Sequence, residues 1–184
     1  MPIEIEKKYR LTLKQRQAIE RRLREVGATR HELEFEENTI YGGGRLDLGG
    51  CALRLRRVGK RAILTFKQRL PTQSPIKHQI ENETIIEKPD AMNAILQSLG
   101  FRPALVYEKR RRRWQLGKAE IVIDELPFGL FMEIEASERE IGRVEKKIGA
   151  EALPPVMQTY PTLTAMIGKE RNGVIEARFP KARG

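Results

Sequence analysis

Charged side chains recur at every second position in several short segments of the chain. Glu4, Glu6 and Lys8 show this spacing near the N-terminus, and Arg54 and Arg56 repeat it later. In a β-strand, residues i and i+2 point to the same face, so each set would share one side of its strand. Carboxylates suit hard cations such as Mg²⁺ or Mn²⁺, and arginine and lysine suit phosphate oxygens. The pattern predicts a site that binds a divalent metal together with a polyphosphate.

The complete set of such positions contains as many bases as acids. Apolar residues occupy the opposite parity, as Leu64 and Phe66 do beside Lys67. The basic members are Lys8, Arg54, Arg56, Lys67, Lys109, Arg111 and Arg113, and the acidic members are Glu4, Glu6, Glu81, Glu83, Asp124, Glu133 and Glu135. A cavity lined by this set would be close to neutral, which limits the cost of burying its charges.

The elements that would position these side chains follow from hydrophobic periodicity and from turn and capping residues. Strands are predicted over residues 2–11, 33–41, 51–58, 61–68, 78–87, 105–116, 119–126 and 131–136. Helices are predicted over residues 13–26, 89–99, 137–148 and 161–168, and the glycines at 42–44 mark a loop. Hairpins dominate and no βαβ order is present. The fold class is therefore α+β, mainly β, with an antiparallel sheet or barrel and helices packed outside.

The two-sided character of the strands bears on the choice between sheet and barrel. A charged face is commonly the wet side of an open antiparallel sheet. Here acids dominate on some strands and bases on others, while several helices compete for the apolar faces. A closed barrel would turn its apolar faces outward against those helices and its charged faces inward. We therefore predict a barrel with a charged interior.

Composition limits the classes of partner. Lys and Arg number 35 against 25 Asp and Glu, a formal net charge of +10, which favours polyanionic partners. No apolar run approaches the roughly 20 residues that span a bilayer, and the acidic N-terminus does not resemble an export signal. The single cysteine, Cys51, excludes an intrachain disulfide. We expect a cytoplasmic protein without a membrane partner, and residues 169–184 are expected to form a basic tail or a weak extra strand.

The basic run from Lys109 to Arg113, followed by Trp114, invites an interpretation as a nucleic-acid site. Strand parity sends its members to opposite faces, and aromatic residues make up only 6% of the chain, few for base stacking. Nucleic acid is therefore not the expected partner. A non-catalytic triphosphate-binding protein is a further alternative, and the oligomeric state, including a homodimer, stays open.

The motifs closely resemble those of the CYTH family, also called triphosphate tunnel metalloenzymes. The matching segments are Glu-x-Glu-x-Lys at 4–8, the paired arginines at 53–56, the lysine strand at 64–67, Lys-x-Arg at 108–111, and acidic strands at 123–124 and 129–135. The resemblance covers about residues 3–168, so a tunnel domain is expected over 1–168. It implies an eight-stranded antiparallel barrel that forms a tunnel.

The resemblance also implies an activity and roles for individual residues. The implied activity is metal-dependent hydrolysis of inorganic triphosphate, thiamine triphosphate or a nucleoside triphosphate. The alternative is a class IV adenylate cyclase. Implied ligands of two Mg²⁺ or Mn²⁺ ions are Glu4, Glu6, Glu133 and Glu135, with Asp124 and Glu81 or Glu83 assisting; the seven basic residues named above would contact phosphate. Lys109 and Tyr41 match a Lys–Tyr pair that is thought to activate water. The chain departs from the family pattern at Gln79, where arginine is frequent, and at the glycines after Tyr41.

Overall fold

Short strands with one apolar and one charged face pair into a single ten-stranded sheet in the computed structural model, which describes residues 3–72 and 74–180. The strands are Ile3–Leu11 (β1), Thr29–Gly42 (β2), Cys51–Val58 (β3), Arg61–Arg69 (β4), Lys77–Ile86 (β5), Arg102–Leu116 (β6), Ala119–Leu126 (β7), Gly129–Glu135 (β8), Lys169–Arg171 (β9) and Val174–Ala177 (β10). The α-helices are Leu13–Glu25 (α1), Pro89–Ser98 (α2), Glu138–Ile148 (α3) and Tyr160–Ile167 (α4).

Eight of the strands close into an antiparallel barrel. Their order is β2-β3-β4-β5-β1-β8-β7-β6, and β6 returns to pair with β2. The register places acids opposite bases on neighbouring strands: Lys67 faces Glu81, and Lys8 faces Glu133. The predicted fold class, an antiparallel barrel with helices outside, is confirmed. Closure also gives every barrel strand two hydrogen-bonded neighbours, so no barrel edge is left unpaired.

The strands that close the barrel are longer than the sequence pattern indicates. β2 begins at Thr29, four residues before the predicted start, and β6 begins at Arg102 rather than at residue 105. The two pair from Thr29 opposite Gln115 to Gly42 opposite Arg102. Residues 29–32 are all polar, so they show no alternation, and pairing with β6 rather than local sequence makes them a strand. The predicted glycine loop likewise continues into a short 3₁₀ helix, Gly44–Leu48.

The main hydrophobic core lies between the outside of the barrel and two helices. Ile19 and Leu23 of α1 and Val144 of α3 pack on outward-facing side chains that include Trp114 and Ile121. Each fully buried side chain of this size contributes about 1.5–3 kcal/mol. The core therefore surrounds the barrel wall and leaves the interior free for polar groups.

Capping residues set the helix ends at the predicted places. The Thr12 side chain accepts a hydrogen bond from the Gln15 N–H and forms a capping box with it. The Ser137 side chain accepts a hydrogen bond from the Glu140 N–H at the start of α3, and Gly149 ends that helix in a left-handed conformation. None of the described helices is long and apolar enough to cross a bilayer.

The C-terminal part of the chain adds a helix and two short strands to the barrel. α4 packs against β6 and β10. β10 runs parallel to β6, with Ile175 opposite Leu105, and β9 pairs with β10. Residues 169–177, within the segment expected to form a basic tail or a weak strand, thus extend the sheet. Residues 181–184 of that segment lie outside the described chain.

Candidate active site

Charged side chains fill the barrel interior, although charged residues are seldom buried in soluble proteins. The most deeply buried are Glu6, Lys8, Glu36, Arg54, Arg56, Lys77, Lys109, Arg111, Asp124 and Glu133. Glu4, Lys67 and Glu81 are partly buried beside them. Arg113, Glu83 and Glu135 lie nearer one end of the barrel and are more exposed. The structure therefore brings the fourteen charged residues predicted from strand parity into one interior.

Carboxylates from β1, β5 and β8 form the acidic side of this interior. Glu4 and Glu81 both contact the Lys67 ammonium group, at 2.6 and 2.8 Å. The Gln79 amide donates a hydrogen bond of 2.6 Å to Glu4. The Lys77 ammonium group lies 3.1 Å from Glu6. Each of these acids is therefore held by a basic or amide group on a neighbouring strand.

The carboxylates on the acidic side carry more negative charge than the neighbouring basic groups neutralise. Burial and the nearby Glu4 raise the pKa of the Glu81 carboxyl well above its ordinary value. Burial, together with the charges of Glu4 and Glu120, raises the pKa of Glu135 to about 7. A divalent cation would relieve this repulsion, and oxygen donors of this kind are what Mg²⁺ and Mn²⁺ prefer. The donor chemistry therefore fits such an ion.

No group of three or more acidic, histidine or cysteine side chains within residues 3–72 and 74–180 is already arranged as a metal site. Lysine ammonium groups form ion pairs with the carboxylates instead. Lys67 pairs with Glu4, Lys77 with Glu6, and Lys8 with Glu133 at 3.1 Å. Binding of a cation would have to displace some of these contacts.

The opposite wall, formed by β2, β3, β6 and β7, is predominantly basic. Asp124 accepts two hydrogen bonds from the Arg111 guanidinium group, at 2.7 and 2.5 Å. Glu36 lies 3.2 Å from the Lys109 Nζ and 3.3 Å from the Arg56 Nε. Burial disfavours ionisation of Glu36, but the charges of Lys109, Arg111 and Arg56 outweigh it and hold its pKa well below the usual range.

Lys109 has a shifted pKa at the centre of this basic wall. Its Nζ is almost completely buried and lies 3.5 Å from an Asp124 oxygen. Burial and the neighbouring Arg111 charge lower the pKa of Lys109 to about 8. An amine with this pKa can gain or lose a proton near neutral pH, as a general acid or base must.

The structure corrects the prediction for Tyr41. Its side chain is on the outer face of β2, among Leu53, Leu55 and Leu96. Its hydroxyl donates a 2.7 Å hydrogen bond to the Asn93 side chain on α2. Glu36, Asn38 and Ile40 occupy the inward parity of β2, so an odd-numbered residue of that strand points away from Lys109. Tyr41 therefore packs against a helix and does not reach the interior.

A different tyrosine reaches Lys109. Tyr160, the first residue of α4, is buried, and its hydroxyl donates a 2.9 Å hydrogen bond to Asp124. The Lys109 ammonium lies 5.4 Å from the centre of its ring, and the Lys8 ammonium lies 3.8 Å from it. The ring also packs edge-on against Phe131 at 5.5 Å. α4 thus supplies an aromatic wall to one end of the charged interior.

The sequence matches the family model of the CYTH domain over residues 2–152. That range includes every barrel strand and all the charged interior residues named above. The chain belongs to the CYTH family. Tyr160 and the strands after it lie beyond the matched range of the CYTH domain. No curated protein shows significant sequence similarity to the chain.

Several solved structures have the same fold as this chain. A conserved hypothetical protein from Pyrococcus furiosus superposes with a TM-score of 0.73 at 23% identity, over 85% of this chain and 97% of that one. A candidate adenylate cyclase from Vibrio parahaemolyticus gives 0.69 at 21% identity, over 89% and 98%. A Hippeastrum protein described as a candidate adenylyl cyclase with a dominant triphosphatase activity gives 0.69 at 17%, over 89% and 95%. At these identities the similarity establishes the fold.

Sequence reasoning missed three interior residues of this CYTH barrel. Glu36 shares the parity of Glu34 and Asn38, opposite to Leu33 and Phe35, and this alternation is the signal that could have placed it. Lys77 lies one residue before the predicted start of β5, although it is two residues from Gln79 and shares its face. Tyr160 comes from a helix, and no strand pattern could place it.

The basic run of β6 divides between the two faces of the wall. Lys109 and Arg111 face the interior, as described above. Arg110 lies on the outside, 3.0 Å from Glu125, and Arg112 donates a hydrogen bond to the His31 carbonyl oxygen. The run therefore forms no single basic patch of the kind that binds nucleic acid.

Proposed function

We propose that this protein is a triphosphatase that uses Mg²⁺ or Mn²⁺ and binds its substrate inside the barrel. The observation that carries the proposal is the segregation of charge across the interior. Acids from β1, β5 and β8 face bases from β3 and β6, and most of these side chains are buried or partly buried. A triphosphate with bound metal presents phosphate oxygens to one wall and metal to the other.

The basic wall would bind and orient the phosphate chain. Arg54, Arg56 and Arg111 come from two strands and converge on the interior, where a planar guanidinium group can bind two phosphate oxygens at once. Lys8 and Lys67 would add point charges from the acidic side. In phosphoryl transfer such positioning and charge stabilisation supply most of the catalysis.

The acidic wall would hold the metal, with Glu4, Glu6, Glu133 and Glu135 as the main ligands and Glu81 or Glu83 assisting. When bound, the metal would neutralise phosphate oxygens and favour a nucleophilic water. Asp124 would also assist, and Arg111 and Tyr160, which donate hydrogen bonds to its oxygens, would fix its position. Lys109 would hold or release a proton at Nζ, with the Asp124 and Glu36 carboxylates beside it.

Adenylate cyclisation is the competing activity, and the Vibrio neighbour is described as a candidate for it. A cyclase must also hold an adenine base. At the α4 end, the aromatic rings already pack on one another, since Tyr160 contacts both Tyr107 and Phe131. These contacts use the aromatic surface on which a base could otherwise stack. Hydrolysis requires only water at the phosphate chain, and the Hippeastrum neighbour is described with that activity. These points favour hydrolysis.

The decisive experiment is a phosphate-release screen with inorganic triphosphate, thiamine triphosphate and ATP, each with Mg²⁺ and with Mn²⁺. A parallel assay measures cyclic AMP and pyrophosphate from ATP. We expect phosphate release from at least one substrate, strictly dependent on metal. Cyclic AMP as the main product would replace the proposal with the cyclase. Salt-sensitive binding of long nucleic acid without turnover would exclude both.

Two substitutions test the metal ligands within the same assay. Glu4→Gln and Glu6→Gln keep the side-chain shape and remove the charge, so turnover should be lost while the fold is retained. Glu125→Gln, on the outer face of β7, serves as the control and should keep full activity. Unchanged turnover in both interior variants would remove the ligand assignment.

A further inference from the structure

Glu36 occupies an unusual position in the basic wall. Its side chain is fully buried, at 0% exposure, and projects from β2 between β3 and β6. Four cationic groups surround its two oxygens. The distances are 3.2 Å to Lys109 Nζ, 3.3 Å to Arg56 Nε, 3.7 Å to an Arg113 nitrogen and 3.9 Å to Arg111 Nε. One carboxylate thus lies where phosphate-binding groups from two strands converge.

Charge, rather than hydrogen bonding, holds Glu36 in place. Among residues 3–72 and 74–180, the one side-chain hydrogen bond that it accepts comes from the Asn38 amide, at 3.4 Å. Its Oε1 atom has no hydrogen-bond partner within the described part of the chain, and neither does Arg56 Nε. Ionised N–H···O bonds are normally about 2.7–2.9 Å long. The cations are therefore attracted to this carboxylate without being locked to it.

Asp124 shows what a locked carboxylate looks like in the same wall. It accepts two short hydrogen bonds from Arg111 and a third from Tyr160. Both acids neutralise the basic wall, but only Asp124 satisfies its hydrogen-bonding capacity. Glu36 is consequently the carboxylate whose contacts a competing anion can replace with better ones.

We infer that Glu36 is an internal counter-anion that occupies the cationic site of the empty barrel and competes there with a phosphate group of the ligand. The inference rests on the proposed function for the identity of the ligand, a polyphosphate. A phosphate oxygen can approach Arg56 and Lys109 more closely than Glu36 does. It must first overcome repulsion from the Glu36 charge. Glu36 therefore lowers affinity for polyphosphate and prevents weak anions from occupying the wall.

The test measures anion binding without metal, so that turnover does not enter. Calorimetric titration with inorganic triphosphate compares the wild-type protein with Glu36→Gln. The control is Glu37→Gln. Glu37 is next to Glu36 in the sequence, but its side chain faces outward and pairs with Arg178. The Glu36 charge would repel a phosphate bound to the same cations, because like charges in close contact repel strongly at an intermediate dielectric constant. Removal of the Glu36 charge should therefore tighten binding at least about tenfold, and Glu37→Gln should leave the Kd unchanged.

The outcomes separate this inference from the proposed function. If the wild-type protein binds triphosphate neither without metal nor with Mg²⁺, the proposed function fails. If it binds and Glu36→Gln binds equally or more weakly, Glu36 is only a structural counterion and the inference is wrong.

A second measurement covers the case in which Glu36→Gln does not fold without an anion. Urea denaturation at a series of triphosphate concentrations then yields the affinity through the dependence of stability on ligand. We expect triphosphate to stabilise the variant more than it stabilises the wild-type protein. A variant that stays unfolded at every triphosphate concentration would overturn the inference, because an anion would then be unable to replace Glu36.

Discussion

Replacement of Asp124 by asparagine would test whether this residue is the structural centre of the basic wall. Asp124 is fully buried, at 0% exposure, and accepts hydrogen bonds from Arg111 and Tyr160. Asparagine has nearly the same shape but no charge, and its NH₂ group would face one of these donors. The substitution therefore leaves Arg111 and Lys109 partly uncompensated in a buried site.

The expected loss of stability follows from the remaining contacts. Removal of one partner of a buried ion pair typically costs about 3–5 kcal/mol. Arg111 would keep Glu133 at 2.8 Å, and Lys109 would keep Glu36 at 3.2 Å. We therefore expect the lower part of that range, about 3 kcal/mol. For a chain of this length, about 2–4 °C of Tm per kcal/mol gives a decrease of about 6–12 °C.

Urea and thermal denaturation, followed by circular dichroism at pH 7, would measure this loss. Glu125→Gln is the matched control, because Glu125 follows Asp124 in the sequence but faces outward and pairs with Arg110 at a half-exposed site. Its effect should stay within about 0.5 kcal/mol, since surface ion pairs contribute little. Equal stabilities of the two variants would refute the view that Asp124 organises the basic wall.

Three further predictions concern the tyrosines, the lysine and the acidic wall. Tyr41→Phe should retain full activity. Tyr160→Phe should lower kcat and destabilise the fold by about 1 kcal/mol, because a buried hydrogen bond is lost. Equal kcat values for the two variants would contradict this. Lys109 has a pKa lowered to about 8. If its neutral amine accepts a proton, kcat/KM should rise with pH through that value, and a flat profile between pH 7 and 9 would oppose the role. Glu135, with a pKa raised to about 7, is protonated below that pH. Metal binding should therefore release a proton and tighten as the pH rises from 6 to 8, as calorimetry in buffers of different ionisation enthalpy would show.

Strand parity predicted the charged interior because side-chain alternation is a local property. The pairs Glu4 and Glu6, or Arg54 and Arg56, need only an extended backbone to face the same way. The apolar parity likewise predicted which faces the helices cover. The sequence does not specify which strands close the barrel. The predicted start of β2 therefore lies four residues after the observed start at Thr29.

Tyr41 shows where a motif match failed. The match placed it beside Lys109, but Ile40 has the inward parity of β2, and the ladder with β6 shifts register between residues 40 and 41. Tyr160 could not have been predicted, since its place in the interior depends on how α4 docks rather than on strand alternation. Glu36 could have been predicted, since it lies within the predicted strand 33–41 and shares the parity of Asn38.

The barrel interior holds at least as many carboxylates as ammonium and guanidinium groups, so the formal excess of ten positive charges belongs to the rest of the molecule. A polyphosphate approaching from solution therefore meets an attractive electric field before it enters the barrel. Such steering accelerates encounter and weakens as ionic strength rises, with a screening length of about 8 Å at physiological salt. The exterior would thus govern how fast substrate arrives, while the interior governs how long it stays.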